Sequence, residues 1–152
     1  MRVFDSRDDI LGALGETLGT SEWTTVTQEQ VDSFADATGD HQWIHVDVDR
    51  ATKESPFGGP VAHGYLTLSL VPMFGKQIYR IENAKMGVNY GSNKVRFPSP
   101  VPVGSKVRST AVLTEATAVS DDVVQLVVTH TVEIDGASKP ALVAETVSRV
   151  YF

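Results

Sequence analysis

The chain has 152 residues, of which 41% are hydrophobic and 21% are charged, a composition typical of a globular domain and not of a disordered segment. Thirteen Lys and Arg residues against nineteen Asp and Glu residues give a net charge of −6, which argues against a general nucleic-acid-binding surface. The absence of cysteine excludes disulfides, thiolate metal sites, iron–sulfur clusters and a thiol nucleophile.

Two helices are predicted in the first 40 residues. Residues 8–18 carry apolar side chains at amphipathic spacing and predict the first helix, and residues 23–26 then favour an extended segment. The second helix is predicted to follow Thr27, because Thr27 and Gln30 have the spacing of a capping box. It is predicted to end at Gly39, a residue suited to a left-handed C-cap.

The middle of the chain predicts one long apolar helix between irregular segments. Residues 40–46 are expected to form a loop, and residues 51–60 contain too many Pro and Gly residues for regular structure. Residues 61–74 are apolar almost all round, which indicates a buried helix. Pro72 is expected to kink or end that helix.

From residue 84 onward the apolar period changes to two, which indicates strands. Turn residues at 120–122 and 135–136 predict hairpins. The expected strands are Ala84–Phe97, Ser105–Val119, Val123–Ile134 and Ala141–Tyr151. The fold class is therefore α+β, a curved antiparallel sheet with a long apolar helix against it, in a single domain over residues 1–152.

The sequence shows no signal peptide and no membrane span. Residues 1–20 carry four acidic residues and no long apolar run, unlike a signal peptide. No stretch approaches the 18 apolar residues of a membrane span. We expect a soluble cytoplasmic protein.

Asp40 and His45 form the strongest local signal. A carboxylate and an imidazole five residues apart after a helix end can hold one water between them and move protons. The alternative is a helix-terminal carboxylate in a turn, with a His that packs on Trp43. His41 and His45 have a helical metal-ligand spacing, but the Glu of a His-Glu-x-x-His motif is replaced by Gln42, so no metal is expected.

Three further features are candidates for binding. His63 and Gly64 open the apolar helix, where unpaired amides can stabilise a developing oxyanion, although a structural His and a close-packing Gly are equally good explanations. Lys94 and Arg96 share one sheet face and form either a solvated face or a local phosphate-binding patch. His130 is expected to be a strand residue that is partly exposed or internally hydrogen-bonded.

Three blocks of sequence together resemble the MaoC-like dehydratases, which include the (R)-specific enoyl-CoA hydratases and have the hot-dog fold. Residues 34–45 resemble the family's hydratase motif, in which Gly-Asp is followed by a four-residue gap and His. Residues 59–64 resemble the entry to its central helix, and residues 93–104 resemble the strand and Pro-Val-x-x-Gly turn that follow. One departure is visible, because Gln42-Trp43 stands where the family often has Asn-Pro.

The resemblance implies a curved antiparallel sheet wrapped around a long central helix and a hydro-lyase activity. Water would add to trans-2-enoyl-CoA, reversibly and on one face, giving (R)-3-hydroxyacyl-CoA. Asp40 would be the general base, His45 would orient the water, and the amide of Gly64, with His63 beside it, would contact the thioester. Lys94 and Arg96 would contact CoA phosphates. No cofactor is implied.

The resemblance also implies a homodimer with a continuous sheet. From the net charge of −6 and the lack of a long apolar stretch we expect no nucleic-acid or membrane partner. Three alternatives stay open: a 3-hydroxyacyl-carrier-protein dehydratase of fatty acid synthesis, a hot-dog thioesterase, and a non-catalytic acyl-thioester-binding module. The thioesterase is disfavoured because that chemistry usually centres on a carboxylate without the Asp40 and His45 pair.

Overall fold

The computed structural model describes residues 1–152, in eight strands and six helices. The strands are β1 (Arg2–Phe4), β2 (Thr17–Thr20), β3 (Thr24–Thr25), β4 (Tyr79–Ile81), β5 (Met86–Arg96), β6 (Lys106–Ser120), β7 (Val123–Ile134) and β8 (Leu142–Tyr151). The helices are α1 (Arg7–Gly12), α2 (Gln28–Thr38), α3 (Trp43–Val46), α4 (Val48–Glu54), α5 (Gly64–Ser69) and α6 (Val71–Ile78). No helix combines the length and apolar character that crossing a membrane requires.

The main sheet is antiparallel and has the strand order β2-β6-β7-β8-β5, with β3 pairing to β6 beside β2. β7 matches its predicted bounds, and the other three long strands match to within two residues. Register shifts interrupt the β5–β8, β6–β7 and β2–β6 pairings. Such irregularities bend a sheet, and this one curves around α5 and α6. The predicted α+β fold with a helix against a curved sheet is confirmed.

The core lies between the sheet and the helical segment formed by α5 and α6. Leu66, Val71, Phe74 and Ile78 are buried and belong to one cluster with the inward residues of the sheet. The opposite side of the same helical segment, which includes Tyr65, is exposed. The helix is therefore not buried all round as its apolar sequence predicts, and the sheet leaves one side of it open.

Capping explains where α2 begins and ends. The hydroxyl of Thr27 accepts a hydrogen bond from the amide of Gln30, whose side chain in turn accepts from the amide of Thr27. Gly39 ends the helix with a φ of 80°, in the left-handed region that glycine enters without strain. Both predictions are confirmed, and the result is that residue 40 leaves the helix at a fixed point.

Several local predictions are wrong. The first helix ends at Gly12 and not at residue 18, because Gly15 adopts a φ of 84° and the chain turns into β2. Residues 43–46 form one helical turn within the expected loop, and α4 enters the segment expected to be irregular. The central helical segment runs from Gly64 to Ile78 and not over residues 61–74. The interruption expected at Pro72 is confirmed, because α5 ends at Ser69 and Pro72 lies in the first turn of α6.

Candidate active site

Asp40 lies immediately after the left-handed end of α2. Its carboxylate accepts a hydrogen bond from the amide of Gln42 at 3.3 Å, which ties the side chain to the turn before α3, and 52% of the side chain is exposed. Trp43 begins α3 and packs under the guanidinium of Arg50, 4.2 Å from the ring centre. Trp43 thus packs against α4 and leaves the carboxylate accessible.

His45 is buried, and its ring is held in one orientation. The Nδ1–H donates to the carbonyl of Val61 at 2.6 Å, so Nε2 carries the free lone pair. The amide group of Gln28 donates to the backbone carbonyl of His45 at 2.8 Å and fastens α3 to α2. Burial holds the pKa of His45 below its usual value, which outweighs the opposing effect of the Val61 carbonyl. The ring is therefore a neutral acceptor near pH 7.

His63 contacts both Asp40 and His45. Its Nε2–H donates to the backbone carbonyl of Asp40 at 2.9 Å, and its ring stacks on that of His45 with the centroids 3.9 Å apart. Phe34 packs on the ring at 5.0 Å. The His63 side chain is 2% exposed, and its Nδ1 has no hydrogen-bond partner. Its donor is thus used on the protein's own backbone, a role that sequence spacing does not reveal.

One nitrogen of each imidazole and one carboxylate oxygen of Asp40 lie within 4.8 Å of one another. A water with two hydrogen bonds of about 2.8 Å spans such a separation. The same three groups suit a metal ion less well. Because the two rings are stacked 3.9 Å apart and inclined by only 26°, their in-plane lone pairs lie in two nearly parallel planes, whereas a metal bound by both rings needs them to converge on one point.

Gly64 begins α5 beside this cluster. The amides of Gly64 and Tyr65 donate no hydrogen bond, as expected for the first turn of a helix. A Cβ at residue 64 would lie 3.1 Å from the ring of Phe97, so the residue permits a close approach between α5 and the end of β5. An apolar pocket of about 340 Å³, lined in part by Ile44 and Val61, opens at the same place.

Lys94 and Arg96 lie at the end of β5 that leads to Phe97, and both are exposed. The Nζ of Lys94 lies 3.8 Å from a carboxylate oxygen of Glu145. The guanidinium of Arg96 donates to the neighbouring backbone carbonyl at 2.8 Å and has no carboxylate partner. Neither residue belongs to the Asp40 cluster, and Arg96 is the one whose charge is not paired within the chain.

A family model described as MaoC like domain matches residues 9–134. The chain is 52% identical over 149 residues to 3-hydroxyacyl-thioester dehydratase Z of Mycobacterium tuberculosis, covering 98% of each chain. A solved structure titled monoamine oxidase regulatory protein from Archaeoglobus fulgius has a TM-score of 0.81 at 24% identity, covering 99% of this chain and 96% of that one. The (R)-hydratase from A. caviae involved in PHA biosynthesis has a TM-score of 0.67 at 25% identity, covering 89% and 94%.

Proposed function

This chain belongs to the MaoC-like family of hot-dog-fold dehydratases, and from that premise we propose that it is an (R)-specific enoyl-CoA hydratase. It adds water to trans-2-enoyl-CoA, reversibly, to give (R)-3-hydroxyacyl-CoA. The observation that carries the proposal is the accessible carboxylate of Asp40 beside the oriented, neutral ring of His45. The (R)-hydratase from A. caviae and the mycobacterial 3-hydroxyacyl-thioester dehydratase support the reaction class.

In this mechanism the water lies between Asp40 and His45. Its two hydrogens point to the carboxylate and to Nε2 of His45, because both are acceptors, and this leaves an oxygen lone pair for C3 of the enoyl group. Asp40 takes one proton as the C3–O bond forms. The proton is returned to C2 on the same face, which makes the addition syn. His63 acts as a positioning residue by fixing the carbonyl of Asp40 and the plane of His45.

The developing charge on the thioester oxygen needs donors in place before the reaction. The free amide of Gly64 supplies one at the start of α5, and removal of a single donor of this kind typically reduces kcat by about 10²–10³. Arg96, with Lys94, meets the CoA phosphates at the adjoining end of β5, since a protein of net charge −6 needs local cations for them. No cofactor takes part.

We propose that the active form is a homodimer. β5 pairs only with β8, so its other edge is an unpaired row of amides and carbonyls. The strand also exposes Met86, Val88 and Tyr90, by 53%, 43% and 60%. Pairing of two β5 strands would continue the sheet and cover these side chains.

Hydration of crotonyl-CoA tests the assignment, because the conjugated enoyl thioester loses its ultraviolet absorbance when water adds. With the wild type, the absorbance should fall without release of free thiol. Asp40→Asn and His45→Gln should each lower kcat by at least about 10² while remaining folded. Asp36→Asn, which changes an exposed carboxylate on α2, is the matched control and should retain activity.

Other outcomes identify other functions. Release of free thiol would mean a thioesterase. Turnover of carrier-protein thioesters but not of CoA esters would mean a carrier-protein dehydratase. Binding without turnover of either would mean a binding module. Full turnover by folded Asp40→Asn or His45→Gln would show that the assigned roles are wrong.

A further inference from the structure

The open side of the α5–α6 segment faces a second, larger hollow. This groove has a volume of about 830 Å³, within the usual range for small-molecule sites. It begins at Leu68, one helical turn beyond Gly64, and continues past Pro72 and Gly75 between the helix and the β8–β5 side of the sheet. A chain whose thioester lies at Gly64 and which follows the helix axis therefore enters this groove.

The wall of the groove is unexpectedly polar. On the face of the sheet that turns toward the helix, β7 contributes buried apolar residues such as Leu126 and Val128. Their neighbours in register on β8 are Ser148 and Thr146, and next on β5 comes Ser92 opposite Thr146. The core-facing side of an antiparallel sheet is normally apolar. Here it becomes polar where it lines the groove, which a purely hydrocarbon occupant would not require.

His130 is the buried polar group at this boundary. It is 2% exposed, lines the groove, and has Ala111 and Ala144 beside it on the two neighbouring strands. Burial lowers its pKa to about 4, so the ring is neutral at pH 7. The proposed mechanism does not use it.

The hydrogen bonding of His130 fixes what it offers to a ligand. Its hydrogen-bond partner within the chain is the hydroxyl of Ser109, 3.1 Å from Nδ1. Ser109 is fully buried, and its hydroxyl has no other acceptor within reach, so it donates to Nδ1. A neutral imidazole that accepts at Nδ1 carries its proton on Nε2. The groove is thus presented with an N–H donor, while Lys76 and Arg80 line it and no acidic residue does.

We propose that His130 is a specificity-determining residue, and that the groove selects acyl chains that carry an oxygen acceptor, such as a ketone, beyond the reacting carbons. This inference rests on the proposed function for the placement of the thioester. Nε2–H of His130 donates to the oxygen of the chain, and Ser109 holds the ring in the orientation that allows it. A plain hydrocarbon chain leaves this buried donor without a partner, which disfavours its binding.

The test measures binding and not turnover, so it is independent of the hydration step. Octanoyl-CoA and a set of oxo-octanoyl-CoAs, with the ketone at successive carbons of the distal half, are titrated into the protein by calorimetry. The wild type should bind one ketone isomer about three- to tenfold more tightly than octanoyl-CoA, the range expected for one net hydrogen bond. His130→Leu should abolish this ratio, and His130→Gln, which keeps an N–H donor, should restore part of it.

Two variants keep the test decisive. Thr131→Val changes the next residue of β7, whose side chain is exposed, and should leave the ratio as in the wild type. If His130→Leu does not fold, the Ser109→Ala/His130→Leu double variant removes both hydrogen-bonding partners and leaves no orphaned hydroxyl. Equal affinities in the wild type, or a ratio that survives in a folded His130 variant, would overturn the inference while leaving hydration intact. Failure of every acyl-CoA to bind would instead overturn the CoA-dependent function and the inference with it.

Discussion

Replacement of His63 by Leu should change the stability of the protein little and its activity strongly. The substitution removes the 2.9 Å hydrogen bond to the carbonyl of Asp40 and the stacking on His45. These losses are each about 1 kcal/mol. It also removes Nδ1, a buried acceptor without a partner, and relief of such a group is worth about 1–3 kcal/mol. The two effects nearly cancel, so we expect the melting temperature to change by less than about 4 °C.

Turnover should respond much more strongly than stability. Without His63 the carbonyl of Asp40 is free to turn to solvent, and the carboxylate, then held only by the amide of Gln42, is less closely fixed relative to His45. A displacement of about 1 Å in a catalytic group can reduce the rate by about 10². We therefore expect kcat for crotonyl-CoA to fall by about that factor, with KM little changed because His63 makes no contact with the substrate in the proposed mechanism.

The measurement pairs initial rates of absorbance loss with thermal unfolding of the same samples. Phe34→Leu is the control, because it removes a ring that packs on His63 without changing the bond to Asp40, and it should retain most of kcat. A folded His63→Leu variant with wild-type kcat would refute the positioning role. A loss of more than about 2 kcal/mol in the free energy of unfolding would refute the stability reasoning.

Three further predictions concern the helix start, the buried histidine and the sheet edge. Gly64→Ala should lower the melting temperature by about 2–4 °C and kcat by at least tenfold, because the added Cβ would lie 3.1 Å from the ring of Phe97. The double variant Gly64→Ala/Phe97→Ala should recover part of the melting temperature and part of kcat. A Gly64→Ala variant with wild-type values would exclude the clash. For His130, the unfolded state binds more protons between pH 6.5 and about 4, so urea titrations should show the free energy of unfolding falling by about 3 kcal/mol as pH drops through that window. His130→Leu should lose most of that fall, and parallel pH profiles would contradict the assignment. Val88→Lys, measured by sedimentation velocity, should be a monomer where the wild type is a dimer. A monomeric wild type would show that the proposed homodimer is wrong.

The sequence predicts the framework of this protein because the relevant signals are local. Thr27, Gln30 and Gly39 fix the ends of α2 through contacts no more than four residues apart, and the structure confirms all three. Alternation of apolar residues gives the long strands almost to their ends. Asp40 and His45 are indicated by a short motif, and the fold brings both into one cluster.

Tertiary structure alone decides what these residues do. The orientation of His45 depends on the carbonyl of Val61, 16 residues away, and Asp40 is fixed by a ring 23 residues away. The parallel pairing of β1 with β4 joins two three-residue strands too short to have a period. The polar wall beside His130 arises from the register of β7, β8 and β5, which no single segment encodes. The local sequence pattern determines the conformation that each segment prefers. The partners of a residue across the sheet depend on how the whole chain folds. The contacts that give the site its chemistry therefore form only in the folded protein.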